Sequence, residues 1–174
     1  VAMNNSISSS MLGKITFKFS PTFKISIMNS INDYTGQWYE HRYKYSPDSR
    51  LVSNSINNFS SIFINYMFAK SAFIDIKYSI NQKDDFLYTY KDFFDSRYLD
   101  EIYSSYTSSF IQGGQNKTYN TKSFKDINFK IDLNWQVNAI HNLKMGADKF
   151  IHELSVRDYL IRRNPDNDVY ESYI

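Results

Sequence analysis

Apolar and polar residues alternate one by one along most of this chain, most cleanly over residues 127–139, INFKIDLNWQVNA. Ile127, Phe129, Ile131, Leu133, Trp135, Val137 and Ala139 are apolar, while Asn128, Lys130, Asp132, Asn134, Gln136 and Asn138 between them are polar or charged. Side chains along a strand point alternately to opposite faces. The stretch therefore predicts one strand with an apolar face and a polar face. A helix of 3.6 residues per turn would spread the same residues around its whole circumference.

The pattern recurs through the chain. Residues 14–20 place Ile15, Phe17 and Phe19 against Lys14, Thr16, Lys18 and Ser20. Pro21-Thr22 breaks that run, because proline cannot donate to a ladder, and alternation resumes from Phe23 to Ile31, which reads as a hairpin. This second strand is expected to pass Gly36 as a bulge and to continue through Tyr45. A third strand is predicted over 60–68 and a fourth from Ile74 past Ile80 toward Tyr90. The sixth follows 127–139 after a tight turn at Ile140-His141-Asn142 and runs from Leu143 to about Val156. Residues 1–11, rich in Ser and Asn, read as a loop. So do 46–58, 91–118 and the tail around Pro165.

The connections thus alternate in length, short then long, as in bacterial outer-membrane barrels with short periplasmic turns and longer extracellular loops. Soluble strands typically run about five or six residues, whereas a bilayer takes about 9–11 residues of tilted strand, apolar side to lipid and polar side to a wet lumen. The expected fold class is all-β: an antiparallel up-and-down transmembrane β-barrel segment. Residues 1–174 would form part of one barrel domain, supplying about six strands where about eight are needed to enclose even a side-chain-filled interior. Trp135, Tyr66 and Phe68 near short turns, and Trp38 with its neighbouring tyrosines near a long connection, fit aromatic girdles.

Composition narrows the alternatives. With 15 Tyr and 14 Phe among 174 residues, the chain is strongly aromatic, yet its mean hydropathy is −0.51. Half-polar strands produce that combination. No apolar run approaches the roughly 18 residues of a transmembrane helix. The formal net charge of +2 comes from scattered Lys and Arg, so no basic stripe points to nucleic acid. Cysteine is absent, which excludes disulfides and thiolate chemistry. The N-terminus has no basic region followed by an apolar core, so an exported protein with this sequence is expected to extend beyond it.

Candidate chemistry is sparse. His41, His141 and His152 fall at different strand ends and are read as turn or interfacial polar groups. Asp84-Asp85, Asp92, Asp95 and Asp100-Glu101 are read as solvated loop acids. Gly113-Gly114 lacks the strand-to-helix setting of a phosphate cradle. No nucleophile pairs with a base, so no enzyme activity, metal or cofactor is expected. The long connection 91–118 is the candidate ligand surface. Its aromatics, among them Phe93, Phe94, Tyr98, Tyr103, Tyr106 and Phe110, can bury area and order it.

Residues 132–154, DLNWQVNAIHNLKMGADKFIHEL, resemble a strand–turn–strand segment of TonB-dependent outer-membrane receptors of the Bacteroidota type. Gln136, His141, Gly146 and His152-Glu153-Leu154 stand in the order found there, and WYEHRYKYSPD and the terminal YESYI also look like barrel segments of that group. The resemblance implies a barrel of about 22 strands with a plugged lumen, located in the outer membrane and taking up a scarce nutrient. It also implies outer-membrane lipid, the remaining strands and plug, and an energy-coupling inner-membrane complex reached through the plug as partners. A porin or adhesin barrel, and a soluble β-sandwich binding module, are the other readings of the same pattern.

Overall fold

The computed structural model describes residues 4–99, 103–104, 110–113, 116–163 and 169–170. Six long strands form one sheet: β1 (Asn5–Ser20), β2 (Phe23–Gln37), β3 (Val52–Ala69), β4 (Ala72–Tyr88), β7 (Thr118–Gln136) and β8 (Asn142–Leu160). They stand in the order β1-β2-β3-β4-β7-β8, every neighbouring pair antiparallel. Two two-stranded ribbons, β5 (Tyr103–Ser104) with β6 (Ile111–Gly113) and β9 (Arg162–Arg163) with β10 (Val169–Tyr170), lie outside this sheet. No α-helix occurs among the described residues.

The up-and-down order puts the three short turns at one end. Thr22 C=O accepts from Met67 N at 2.8 Å, and Ser71 C=O from Gln136 N at 2.8 Å, so each turn is tied to the next. At two of these turns one aromatic residue is extra to the ladder: Phe19, between the Lys18 and Ser20 pairings, and Phe68, between those of Met67 and Ala69. The connections 38–51 and 89–117 share the other end.

The strands run 15 to 19 residues each, and four of the six, β1, β3, β7 and β8, are longer than the residue pattern predicts. Asn5 to Met11 is strand, not loop: each residue pairs with one of Gln37 to Ile31, and the ladder overrides the poor strand propensity of Ser and Asn. Likewise Val52 to Asn58, read as part of a polar connection, already belongs to β3. Gly36 is no bulge, since it pairs in register with Ser6 and Ser53, and β2 stops at Gln37 rather than running to Tyr45. The Gln37 amide donates to Arg50 C=O at 2.9 Å and turns the chain there. Two 3-10 turns follow, His41–Tyr43 and Pro47–Ser49. Val137 and Ala139 leave the sheet because Asn138 Oδ1 accepts from Ile140 N at 2.9 Å and His141 N at 2.8 Å, closing a local turn of the kind Asn favours.

Apart from Tyr159 on β8 and Ala72 on β4, the buried aromatic and aliphatic side chains lie off the six-stranded sheet. Tyr43, Tyr90, Tyr98, Ile111, Tyr159 and Ile161 all lie at the long-connection end, and of the long strands' apolar side chains away from that end only Ala72 is buried. Away from that end, nothing among the described residues packs across either face of the sheet.

Candidate functional site

The register turns the alternation of single strands into a two-dimensional surface. Phe17, Ile25, Ile64, Ile76, Ile131 and Ala147 fall in one row across all six strands, and Ile15, Ile27, Ile62, Tyr78 and Phe129 fall in the next. Toward the short turns the band continues with Phe23, Tyr66, Ile74, Leu133 and Met145, and away from them with Ile80, Ile127 and Ile151. Even on inner strands these side chains are uncovered: Ile62 is 41 % and Phe129 42 % exposed. One cation interrupts the band, Lys149, opposite Phe129 on β8.

On β7 the band runs from Trp135 to Ile127, which at about 3.3 Å per residue spans about 26 Å of strand. A tilt of about 40° projects that to about 20 Å, close to the roughly 25 Å apolar belt of a transmembrane barrel. Beyond Ile80 and Ile127 the same face turns polar, with Gln82, Asp84, Ser123 and Lys125. On β2 the change comes at Asn29, whose amide donates to Asn58 Oδ1 at 3.0 Å and Ser60 Oγ at 2.9 Å. The strands therefore outlast the band by a polar half of similar length.

At the short turns the band ends in a connected row of rings. Phe17–Phe19, Phe19–Phe23, Phe23–Tyr66 and Tyr66–Phe68 have centroids 6.3, 5.5, 5.8 and 6.5 Å apart across three strands. The opposite face is polar at the same height. Thr16 and Ser26 hydroxyls lie 2.9 Å apart, Asn65 donates to Asp75 at 2.6 Å, Asn128 donates to Asp148 at 2.5 Å, and Lys130 pairs with Asp132 at 3.1 Å. Above them, burial raises the Asp85 carboxyl, but hydrogen bonds from Ser55 and Lys83 outweigh it and hold the acid below its ordinary range.

At the far end the connection 89–117 has structure of its own, a 3-10 turn (Ser96–Leu99) and the β5–β6 ribbon. Its candidate residues separate into different roles. Tyr98 is fully buried; its hydroxyl accepts from Tyr90 N and donates to Tyr90 C=O, both at 2.8 Å. Burial raises the pKa of that phenol. Such a residue holds the loop and offers no surface to a ligand. Phe93 packs edge-on against Tyr119 and Tyr159, at 5.2 and 5.6 Å, fixing the loop to the tops of β7 and β8. Phe94 is 69 % exposed and is the candidate open to an incoming molecule. Tyr103 lies in β5, and Tyr106 lies outside the described residues.

Nearby acids serve the chain itself. Asp92 accepts from Phe94 N at 3.0 Å. Asp95 grips the Arg97 guanidinium at 2.9 and 2.7 Å, which lowers its pKa to about 2. Asp100-Glu101 lie outside the described residues. His152 Nδ1 lies 2.7 Å from Asp126, and His41 Nδ1 lies 2.9 Å from the Tyr39 hydroxyl. The residue pattern did not foresee that the two long connections meet. Phe110 sits between His41 and Tyr45, 5.1 Å from each, and Ile111 is buried with Tyr43. Only the clustering of rings in both segments carried any signal of it.

No family model, no curated protein and no solved structure matches this chain.

Proposed function

We propose that this sheet is a wall of a transmembrane β-barrel in a bacterial outer membrane. On this reading the apolar band faces lipid, the opposite face lines a wet lumen, and the joined long connections form the extracellular surface. The observation that carries it is the band itself: apolar rows across six strands, close in height to the apolar belt of a transmembrane barrel, left uncovered by any other described residue. An apolar patch of this extent exposed to water is a liability in a soluble protein. A sandwich would cover it with a second sheet about 10 Å away.

Within that class we propose nutrient uptake of the TonB-dependent kind. Support for this comes from the resemblance of residues 132–154 and from an outer end rich in aromatic residues. The barrel reading is tested with Leu133→Cys in the full-length protein in vesicles, which contains no other cysteine within this chain. A membrane-partitioned thiol reagent should label it and an aqueous one should not; ready aqueous labelling in the folded protein overturns the reading. Deleting residues 94–113 should leave insertion intact and abolish uptake, and unchanged uptake removes the role given to that loop.

A further inference from the structure

An open groove of about 390 Å³ lies on the band-bearing face, in its polar upper half. Tyr88 and Tyr119, adjacent across β4 and β7, stack with centroids 6.0 Å apart and planes 26° apart. Phe86 and Ile56 complete an apolar floor. Asp33, Thr35, Asn54 and Lys91 stand around it. The Asn54 amide nitrogen donates to Thr35 Oγ1 at 2.8 Å, Tyr34 C=O at 3.2 Å and Asp33 Oδ1 at 3.3 Å. Both residues line the groove, and among the described residues neither the Asn54 carbonyl oxygen nor the second Asp33 oxygen accepts a hydrogen bond, so both are available as acceptors. The Tyr119 hydroxyl donates to Lys91 C=O at 3.2 Å, fixing ring and loop together.

This lining selects a chemical class. An acyl chain would strand the carboxylate, amide and ammonium without partners, at a cost buried polar groups do not tolerate. An anion meets Asp33, and a metal cation meets one carboxylate and an opposing ammonium. A pyranose satisfies both halves. Its C–H face lies flat on aromatic rings, and its rim of hydroxyls needs closely spaced acceptors and donors. The volume is at the small end of ordinary ligand sites, enough for one or two sugar rings.

We propose that this groove binds a saccharide. Its height bears on the source. From Ile80 at the edge of the band, Phe86 and Tyr88 lie six and eight residues on, about 20–27 Å along the strand and about 15–20 Å along the membrane normal. A headgroup layer is only about 5–8 Å deep. The groove is therefore above phospholipid headgroups, at a level reached by a saccharide chain extending from the membrane or by a free oligosaccharide. The height argument rests on the barrel reading; the sugar chemistry does not.

The test uses the full-length protein in detergent micelles, titrated calorimetrically with hexasaccharides of glucose, galactose and mannose. Each is supplied free and coupled to a lipid tail. At least one is expected to bind. Tyr88→Ala should weaken it by about tenfold or more, Asp33→Asn several-fold, and Tyr119→Phe, which keeps the stacking ring, by about threefold at most. Equal affinity for both forms identifies free oligosaccharide as the source, and tenfold tighter binding of the coupled form identifies a membrane glycolipid. Binding of none of the six, or binding unaffected by Tyr88→Ala and Asp33→Asn with the strand spectrum intact, overturns the proposal. Labelling at Leu133 is independent of that result, so the barrel reading stands or falls separately.

Discussion

An arginine moved along one face of β7 separates depth in a membrane from burial in water. Trp135, Ile131, Ile127 and Thr121 share that face, as their pairings with Ala72, Ile76, Ile80 and Phe86 show. Ile131 is four residues from both Trp135 and Ile127, about 13 Å along the strand and about 10 Å along the normal, so it sits at the middle of the band. Charged substitutions on the lipid face of barrels cost about 2–4 kcal/mol at the midplane and about 0–1 kcal/mol near the interfaces. Arginine should thus cost about 2–4 kcal/mol at Ile131, about 1 kcal/mol or less at Trp135 and Ile127, and nothing measurable at Thr121. Ile131, Ile127 and Thr121 are all half-buried, so a profile set by burial alone makes these three costs alike. On the other face, Asp132→Asn breaks one half-exposed pair with Lys130 and should cost about 0–1 kcal/mol. The assay is urea-dependent folding into phosphatidylcholine vesicles, followed by circular dichroism. A flat profile from Ile131 to Thr121, or a maximum at Thr121, refutes the placement of the band in lipid.

Three further outcomes follow from single groups. Lys149 is the one charge within the band rows, and Lys149→Leu should stabilise the inserted protein by about 1–3 kcal/mol; destabilisation in the same vesicle titration shows that the ammonium has an acidic partner there. Tyr98→Phe removes two hydrogen bonds to the Tyr90 backbone, at about 0.5–1.5 kcal/mol each. Amide exchange within 89–99 should therefore accelerate by about one to two orders of magnitude while β7 amides stay protected, and unchanged exchange refutes the anchoring role. Asp95, held at about 2 against an ordinary 3.8 by Arg97, has a depressed folded-state pKa. Its pairing contribution is present above pH 4 and is lost as pH falls toward 2. Carboxyl NMR should show a midpoint near 2 in the wild type and an ordinary one in Arg97→Ala.

Much of the architecture was legible from residue order alone, for a physical reason. A period of two is set by the pleat and survives any tertiary context, so Ile127 to Trp135 and Phe23 to Ile31 announced their faces directly. Alternation in loop length then gave the antiparallel order. Strand ends were less legible, because they depend on groups distant in sequence. Asn5 to Met11 is strand only because Ile31 to Gln37 lies beside it, and Gln37 ends its strand through the carbonyl of Arg50. The described part of the candidate loop holds structure of its own, as its rings suggested, but its division of labour was not legible. Phe93, Phe94 and Tyr98 look equivalent in sequence, and only the fold makes one a strut, one exposed and one a buried tie. The groove was invisible for the same reason. Tyr88 and Tyr119 are separated by the whole of that loop, and Asp33 and Asn54 come from two other strands.

Among the described residues both borders of the sheet are unpaired, β1 along 16 residues and β8 along 19. In water this is an aggregation hazard; in hydrocarbon it is prohibitive. About nine residues of each border strand lie within the band, and roughly half of their backbone N–H and C=O groups point away from the sheet. At several kcal/mol for each unsatisfied group, each border would cost tens of kcal/mol in lipid. If the sheet is the proposed barrel wall, insertion of these strands is therefore inseparable from closure of the ladder on both sides. On that reading, the kinetics of assembly should show crossing of the bilayer and sealing of the seam as one cooperative event, with no six-stranded intermediate resting in the membrane.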